Sequence, residues 1–169
     1  MALPRLLKLM NVFNNGFGYE GVAEEVELPK LTMKSEDFRA GGMLGEVTAN
    51  LGLEKLEMTH KYAGIVPELF KGFATDTIDS ELIRFAGSYQ RDDTGEITAV
   101  EVLVRGRHTE LDGGSSKTGE KTETTIKSAL SYYKLTVDGK ELIEIDLINS
   151  VFKVDGKDRY AQHRAAIGL

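Results

Sequence analysis

The sequence predicts a mainly β domain: an antiparallel β-barrel or sandwich with one or two short flanking helices and a long projecting hairpin or loop. Three observations carry this. Residues 124–137 and 141–147 are rich in β-formers and flank Asp138-Gly139, a dipeptide suited to a type I′ hairpin turn. Residues 97–107 alternate, with Val100, Val102 and Val104 on one face and Ile97, Ala99 and Leu103 on the other. The chain holds 18 glycines and 3 prolines, a composition of many turns and not of long helices. Its 169 residues fit one domain, residues 1–169, and an apolar fraction of 41% supplies a core.

The elements follow in order. Residues 6–12 are apolar apart from Lys8 and Asn11, as in a strand or a tail packed on a neighbour; Asn14, Asn15 and Gly16 mark a turn. Val22, Val26 and Leu28 share one parity and Glu25 and Glu27 the other, a half-buried strand that Pro29 ends. Residues 30–50 read as a long hairpin with its tip near 39–45, because a structureless loop of that length is unusual in a compact domain. Residues 51–62 alternate as a strand. Val66, Leu69, Phe70 and Phe73 then form a helical stripe, with Pro67 and Glu68 suited to its first turn. Residues 81–89 are a strand and 91–96 a turn. Apolar groups on both faces of 97–107 imply burial on both sides, by the core or by another subunit. Residues 110–125 read as a mobile polar loop. Phe152 and Val154 lead to a second Asp-Gly turn, and Asp158 is placed to cap a last helix over 159–167, closed by Gly168.

Chemical motifs are sparse. His60, His108 and His163 lie far apart and none has a partner at metal-ligand spacing. His60 reads as a strand-face or interface residue, and His163 as a helix C-terminal residue. The run GGSSKTGEKT, residues 113–122, lacks the Gly-Lys-Ser/Thr of a phosphate loop, since Glu120 separates Gly119 from Lys121. Asp92-Asp93 and Glu24-Glu25 are adjacent, so in a strand they point to opposite faces. Arg105, Arg107 and His108 form a small basic patch without interleaved aromatics. Of Tyr132 and Tyr133, one ring faces each side of the sheet. There is no cysteine, hence no disulfide or thiol chemistry, and the net charge of -6 opposes tight DNA binding. The N-terminal MALPRLLKLM lacks the apolar core of a signal peptide, so the expectation is cytoplasmic synthesis without stable membrane insertion. The residues point to no enzyme, no cofactor and no metal.

Several segments, taken in order, resemble the major tail tube proteins of contractile-tailed, P2-type phages and of R-type bacteriocins. They are LPRLLKLMNVFNNG (3–16), LPKLTMKSEDFRAGGM (28–43), NLGLEKLE (50–57) and SYYKLTVDGKELIEIDLINSVFKVDGKDR (131–159). The resemblance implies a tail-tube-like barrel or sandwich with a flanking helix. It implies six-subunit rings whose sheets join around a lumen, stacked into a rigid tube inside a sheath. Implied partners are further copies of the chain, the sheath protein, baseplate and tail terminator proteins, a tape measure protein in the lumen, and DNA in passage. The implied location is the virion tail, assembled in the host cytoplasm. Arg39, Gly41, Gly42 and Met43 become candidates for ring-to-ring contact. Glu141, Glu144 and Asp146 become candidate lumen acids if their strand faces inward, where acids would repel phosphates. The alternatives are the tube of an R-type bacteriocin, of a defective prophage particle or of another contractile injection system, a different structural module, or a small β-barrel enzyme or ligand binder.

Overall fold

The computed structural model describes residues 2–169. The strands are β1 (Arg5–Asn14), β2 (Phe17–Gly18), β3 (Ala23–Glu27), β4 (Met33–Phe38), β5 (Val47–Leu53), β6 (Leu56–Ala63), β7 (Glu81–Arg91), β8 (Ile97–Asp112), β9 (Glu123–Val137), β10 (Lys140–Asp146), β11 (Val151–Val154) and β12 (Lys157–Asp158). Two short helices, α1 (Pro67–Phe70) and α2 (Ala161–Ala166), flank them. All strand ladders are antiparallel, and the main path runs β12-β11-β10-β9-β8-β7-β1-β2.

β9 is the branch point. One edge pairs with β8 along most of its length. The other edge is divided: residues 123–130 pair with β6, and 132–137 pair with β10. β6 in turn carries β3. Ser131 lies between the two ladders, where the β8–β9 register slips between Arg105 and Gly106. The slip flips side-chain parity, as one extra residue in a strand must. Thr124, Ile126, Ser128 and Leu130 face the interior before it, and Tyr133 does so after it. Gly106 permits the slip, because a Cβ there would sit 2.1 Å from the Ala129 carbonyl oxygen. Splitting β9 between two partners makes two layers, and Val12, Leu56, Met58, Tyr62, Ile83, Phe85, Val102, Val104, Ile126 and Ile145 fill the space between them.

The result is a sandwich. No closed barrel forms, because the path of strands ends at β12 on one side and at β2 on the other. Boundaries also move. The strand expected over 51–62 is broken at Glu54, whose amide donates to the Thr32 carbonyl at 2.9 Å, so β5 belongs to the hairpin and β6 to the sandwich. The polar loop shrinks to 113–122, because β8 continues to Asp112 and β9 starts at Glu123. α1 is a single turn: Val66 and Leu69 are buried but Phe73 is 49% exposed, so the apolar stripe outruns the helix. α2 starts at Ala161. Asp158 lies ahead of it, accepts from the Tyr160 amide at 3.0 Å and pairs with Arg164.

β4 and β5 form a separate two-stranded sheet, with β4 exposed throughout and β5 exposed as far as Leu51. Only Leu53, at its base, packs against the core, so the hairpin is held mainly by its own ladder and that base.

Candidate assembly surfaces

The hairpin tip, residues 39–46, carries Arg39, Gly41, Gly42 and Met43. The turn is closed by the Met43 amide donating to the Ala40 carbonyl at 3.2 Å. Leu44 beside it is fully exposed. Arg39 is exposed and makes no salt bridge among the described residues.

Glu141, Glu144 and Asp146 share one outward face. Parity alone would set Glu141 with Ile143 and Ile145, but the ladder slips between Glu141 and Ile143 and returns Glu141 to the side of the other two. Their β9 neighbours are Thr136, Lys134 and Tyr132, and Lys153 lies opposite Glu144. Lys134 approaches Glu141 at 3.9 Å, and the Tyr132 hydroxyl donates to Glu144 at 3.2 Å. Burial, then the charge of Glu144 and its neighbours, pushes the Tyr132 phenol up to about 12. Asp146 has local work: its carboxylate accepts from the Ile148 and Asn149 amides and from the Asn149 side chain, which holds the 147–150 turn. Further along this face Arg84 pairs with Glu101 at 3.0 Å, and Arg105 lies opposite Tyr132. The acids are therefore matched by Arg84, Arg105, Lys134 and Lys153. Leu9 and Ile97 are exposed on the same layer, at 75% and 64%.

The opposite layer presents a different surface. Its rows run Glu27, Thr59, Lys127 and Glu110, then Glu25, Lys61, Thr125 and Asp112, then Glu57, Ala129 and Arg107. No large apolar side chain is exposed in these rows. Lys61–Glu25 and Lys127–Glu57, each at 3.3 Å, run across strands, and acids outnumber bases. Both borders of this four-stranded layer have unpaired edges. Among the described residues, β3 pairs only with β6, and β8 beyond Gly106 pairs only with β9, apart from a bridge between His108 and Phe73.

Between the layers lies a polar chain that sequence spacing did not disclose. Asn14 Nδ2 is 3.2 Å from His108 Nε2, and His108 Nδ1 is 2.8 Å from Ser128 Oγ. Ser128 Oγ is 3.1 Å from His60 Nε2, and His60 Nδ1 is 2.7 Å from the Tyr62 hydroxyl. If Asn14 donates, each link runs one way, with each neutral imidazole accepting at Nε2 and donating at Nδ1. Both rings are fully buried. Burial, then the neighbouring His108, lowers His60 to about 3; burial lowers His108 to about 4. His60 is thus a core residue and not a strand-face residue. No group of three metal-ligating side chains gathers among the described residues.

The expected basic patch does not form. Arg105 is exposed, but His108 points into the core and Arg107 donates to the Thr75 carbonyl at 3.2 Å. The 113–122 run is an exposed irregular loop. Tyr133 is buried and Tyr132 faces outward. Among the described residues no helix is long and apolar enough to cross a membrane.

The family described as phage tail tube protein FII matches residues 4–168. The tail tube protein of Escherichia phage P2 is 52% identical over 172 aligned positions, covering 100% of both chains. The major tail tube protein of Serratia phage KSP20 is 40% identical, covering 100% of this chain and 99% of its own. The sheath-tube complex of an extracellular contractile injection system, PVC, contains a chain with the same fold: TM-score 0.56, 10% identity, 75% of this chain and 87% of that one. A chain of the anti-feeding prophage cap gives TM-score 0.56 at 12% identity, covering 75% and 87%. At such identities the likeness is one of fold alone.

Proposed function

The chain belongs to the phage tail tube family, whose members are structural and not catalytic, and on that premise we propose that it is the subunit of the inner tube of a contractile phage tail. Six copies close into a ring, and rings stack into a rigid hollow tube. A sheath surrounds the tube, baseplate and terminator proteins bound its ends, and a tape measure protein occupies the lumen before DNA passes. The tube is assembled in the host cytoplasm and resides in the virion tail. The observation that carries this reading is the end-to-end identity of 52% to the phage P2 tail tube protein. The fold shared with PVC and anti-feeding prophage components agrees with a second reading, the tube of another contractile injection system.

The two outer faces differ in what they suit. We assign the lumen wall to the layer β3-β6-β9-β8, whose rows are polar, free of exposed large apolar groups and net acidic. A wall of that kind repels phosphates and offers a sliding polymer no adhesive surface. Its unpaired edges, β3 and the end of β8, are the pair that a neighbouring copy would join, which removes two exposed edges per subunit. Glu141, Glu144 and Asp146 then face away from the channel, toward other protein. The ring-contact role of Arg39, Gly41, Gly42 and Met43 remains part of the reading, because the tip stands clear of the sandwich.

Electron microscopy of the purified chain across a concentration range tests the assignment. Hollow tubes or six-fold rings are expected. Single domains that persist at high concentration and with baseplate components added would overturn it.

A further inference from the structure

A cleft of about 290 Å³ opens between the β1–β2 turn, α1 and the start of β7. Its walls include Asn14, Phe17, Tyr19, Glu68, Lys71 and Glu81. Three features are unusual. Asn14 is 4% exposed, and its Oδ1 has no hydrogen-bond partner among the described residues. Glu81 is 6% exposed, yet its carboxylate receives only the Asn15 Nδ2 amide, at 2.8 Å, with His108 more distant at 3.8 Å. That imidazole is held neutral by burial and so supplies no countercharge. Glu68 adds a second carboxylate at the exposed rim. Burial first, then the charges of Glu68 and Glu81, pushes the Tyr19 phenol up. Lys71 is the one cation among the lining residues.

The cleft is therefore rich in acceptors and short of donors. A buried amide oxygen calls for a hydrogen-bond donor, and a buried carboxylate for a countercharge as well. Phe17, 71% exposed at the mouth, adds an aromatic face on which a planar cation packs well. A guanidinium fits this combination better than an ammonium, since it is flat and presents five N–H groups.

We propose that this cleft receives a guanidinium from a second copy of the chain, and that Arg39 of the hairpin tip supplies it. Arg39 is exposed, unpaired among the described residues, and carried at the tip of a hairpin that is almost wholly exposed. The carboxylates of Glu68 and Glu81 against the positive charge of Arg39 are what favour this occupant. The inference rests on the tube reading, since it requires copies to meet.

A charge swap tests it, with wild-type tube growth followed by light scattering and microscopy as the reference. Arg39→Glu and Glu68→Arg should each slow elongation by roughly tenfold or more, as loss of a close interfacial charge pair does. The double variant should recover most of the wild-type rate. Circular dichroism and size-exclusion chromatography of each subunit check that the fold is intact; Glu68 is exposed, so both variants should fold. Wild-type elongation by Arg39→Glu, or a double variant no faster than the slower single one, overturns the proposal while leaving the tube itself established. Failure of the wild-type chain to form tubes under any condition removes the tube reading first.

Discussion

His60 and His108 lie 48 positions apart in sequence, yet their ring centroids are 5.5 Å apart. Strand pairing brings them there. β6 and β8 both border the first half of β9, and Ser128 lies between the two rings. The groups that face the pair are Asn14 from β1, Glu81 from β7, Tyr62 from β6 and Ser128 from β9. Both imidazoles have folded pKa values far below the ordinary 6.5, at about 3 and about 4. An unfolded chain therefore binds protons below about pH 6.5 that the folded chain refuses. Stability falls as pH drops from about 6.5 toward 4, by about 1.4 kcal/mol per pH unit for each imidazole at most. The paired carboxylates Asp93 and Asp158 are held low by Arg91 and Arg164, so their contribution is lost only further into acid. Urea denaturation of the unassembled subunit should thus show a loss of roughly 2–4 kcal/mol between pH 7 and pH 5. Equal stability at the two pH values would contradict the neutral, buried pair. The histidines were visible as residues in the sequence; their meeting was not, because it depends on a register that no local pattern encodes.

At the scale of elements, alternation proved a good guide wherever one face of a strand is buried. β9 and β10 about Asp138-Gly139 match the expected hairpin, with φ of 49° and 78° at the two turn residues, as a type I′ turn requires. Alternation fails at slips. The extra residue near Leu142 moves Glu141 to the other face, and Ser131 does the same for half of β9, since neither slip leaves a mark in composition. The β4–β5 hairpin was legible for another reason: 21 residues without a core pattern need a partner of their own. A Cβ at Gly41 or Gly42 meets nothing within 4 Å, although Gly42 has φ +86°. Replacing both with Val should cost the subunit no more than about 1–3 kcal/mol, confined to the tip. Tube growth should nevertheless be impaired if the tip joins rings. Circular dichroism reads the fold, and size-exclusion chromatography with microscopy reads the assembly. Full-length tubes from the folded double variant would end the contact role for these positions.

The whole molecule offers two outer faces of opposite character, and the absence of cysteine makes them testable. Thr59→Cys on the β6 face and Lys134→Cys on the β9–β10 face place one thiol on each. In assembled tubes the Thr59→Cys thiol should react with a small maleimide and resist a bulky polymer-linked one, because only the lumen admits one and excludes the other. The Lys134→Cys thiol, on the side away from the channel, should react with both reagents on a bare tube and lose reactivity only where other protein covers it. The reverse pattern would move the channel to the face of Glu141 and Glu144. A barrel or sandwich was within reach of sequence reasoning; the choice between them was not. Closure depends on whether the terminal strands meet, and β12 and β2 do not.

The sharing of β9 by both layers also sets an order for making the protein. A ribosome must deliver 137 of the 169 residues before that strand is complete. Until then the early pairs, β1 with β7 and β3 with β6, have no common member to hold their apolar faces together. Between the completion of β7 at residue 91 and that of β9 at residue 137, the nascent chain consequently holds two unattached fragments with open edges, and β9 turns them into one body. The same delay that keeps the subunit from maturing early leaves those edges within reach of other nascent copies, a hazard for a protein whose mature form is built to bind itself.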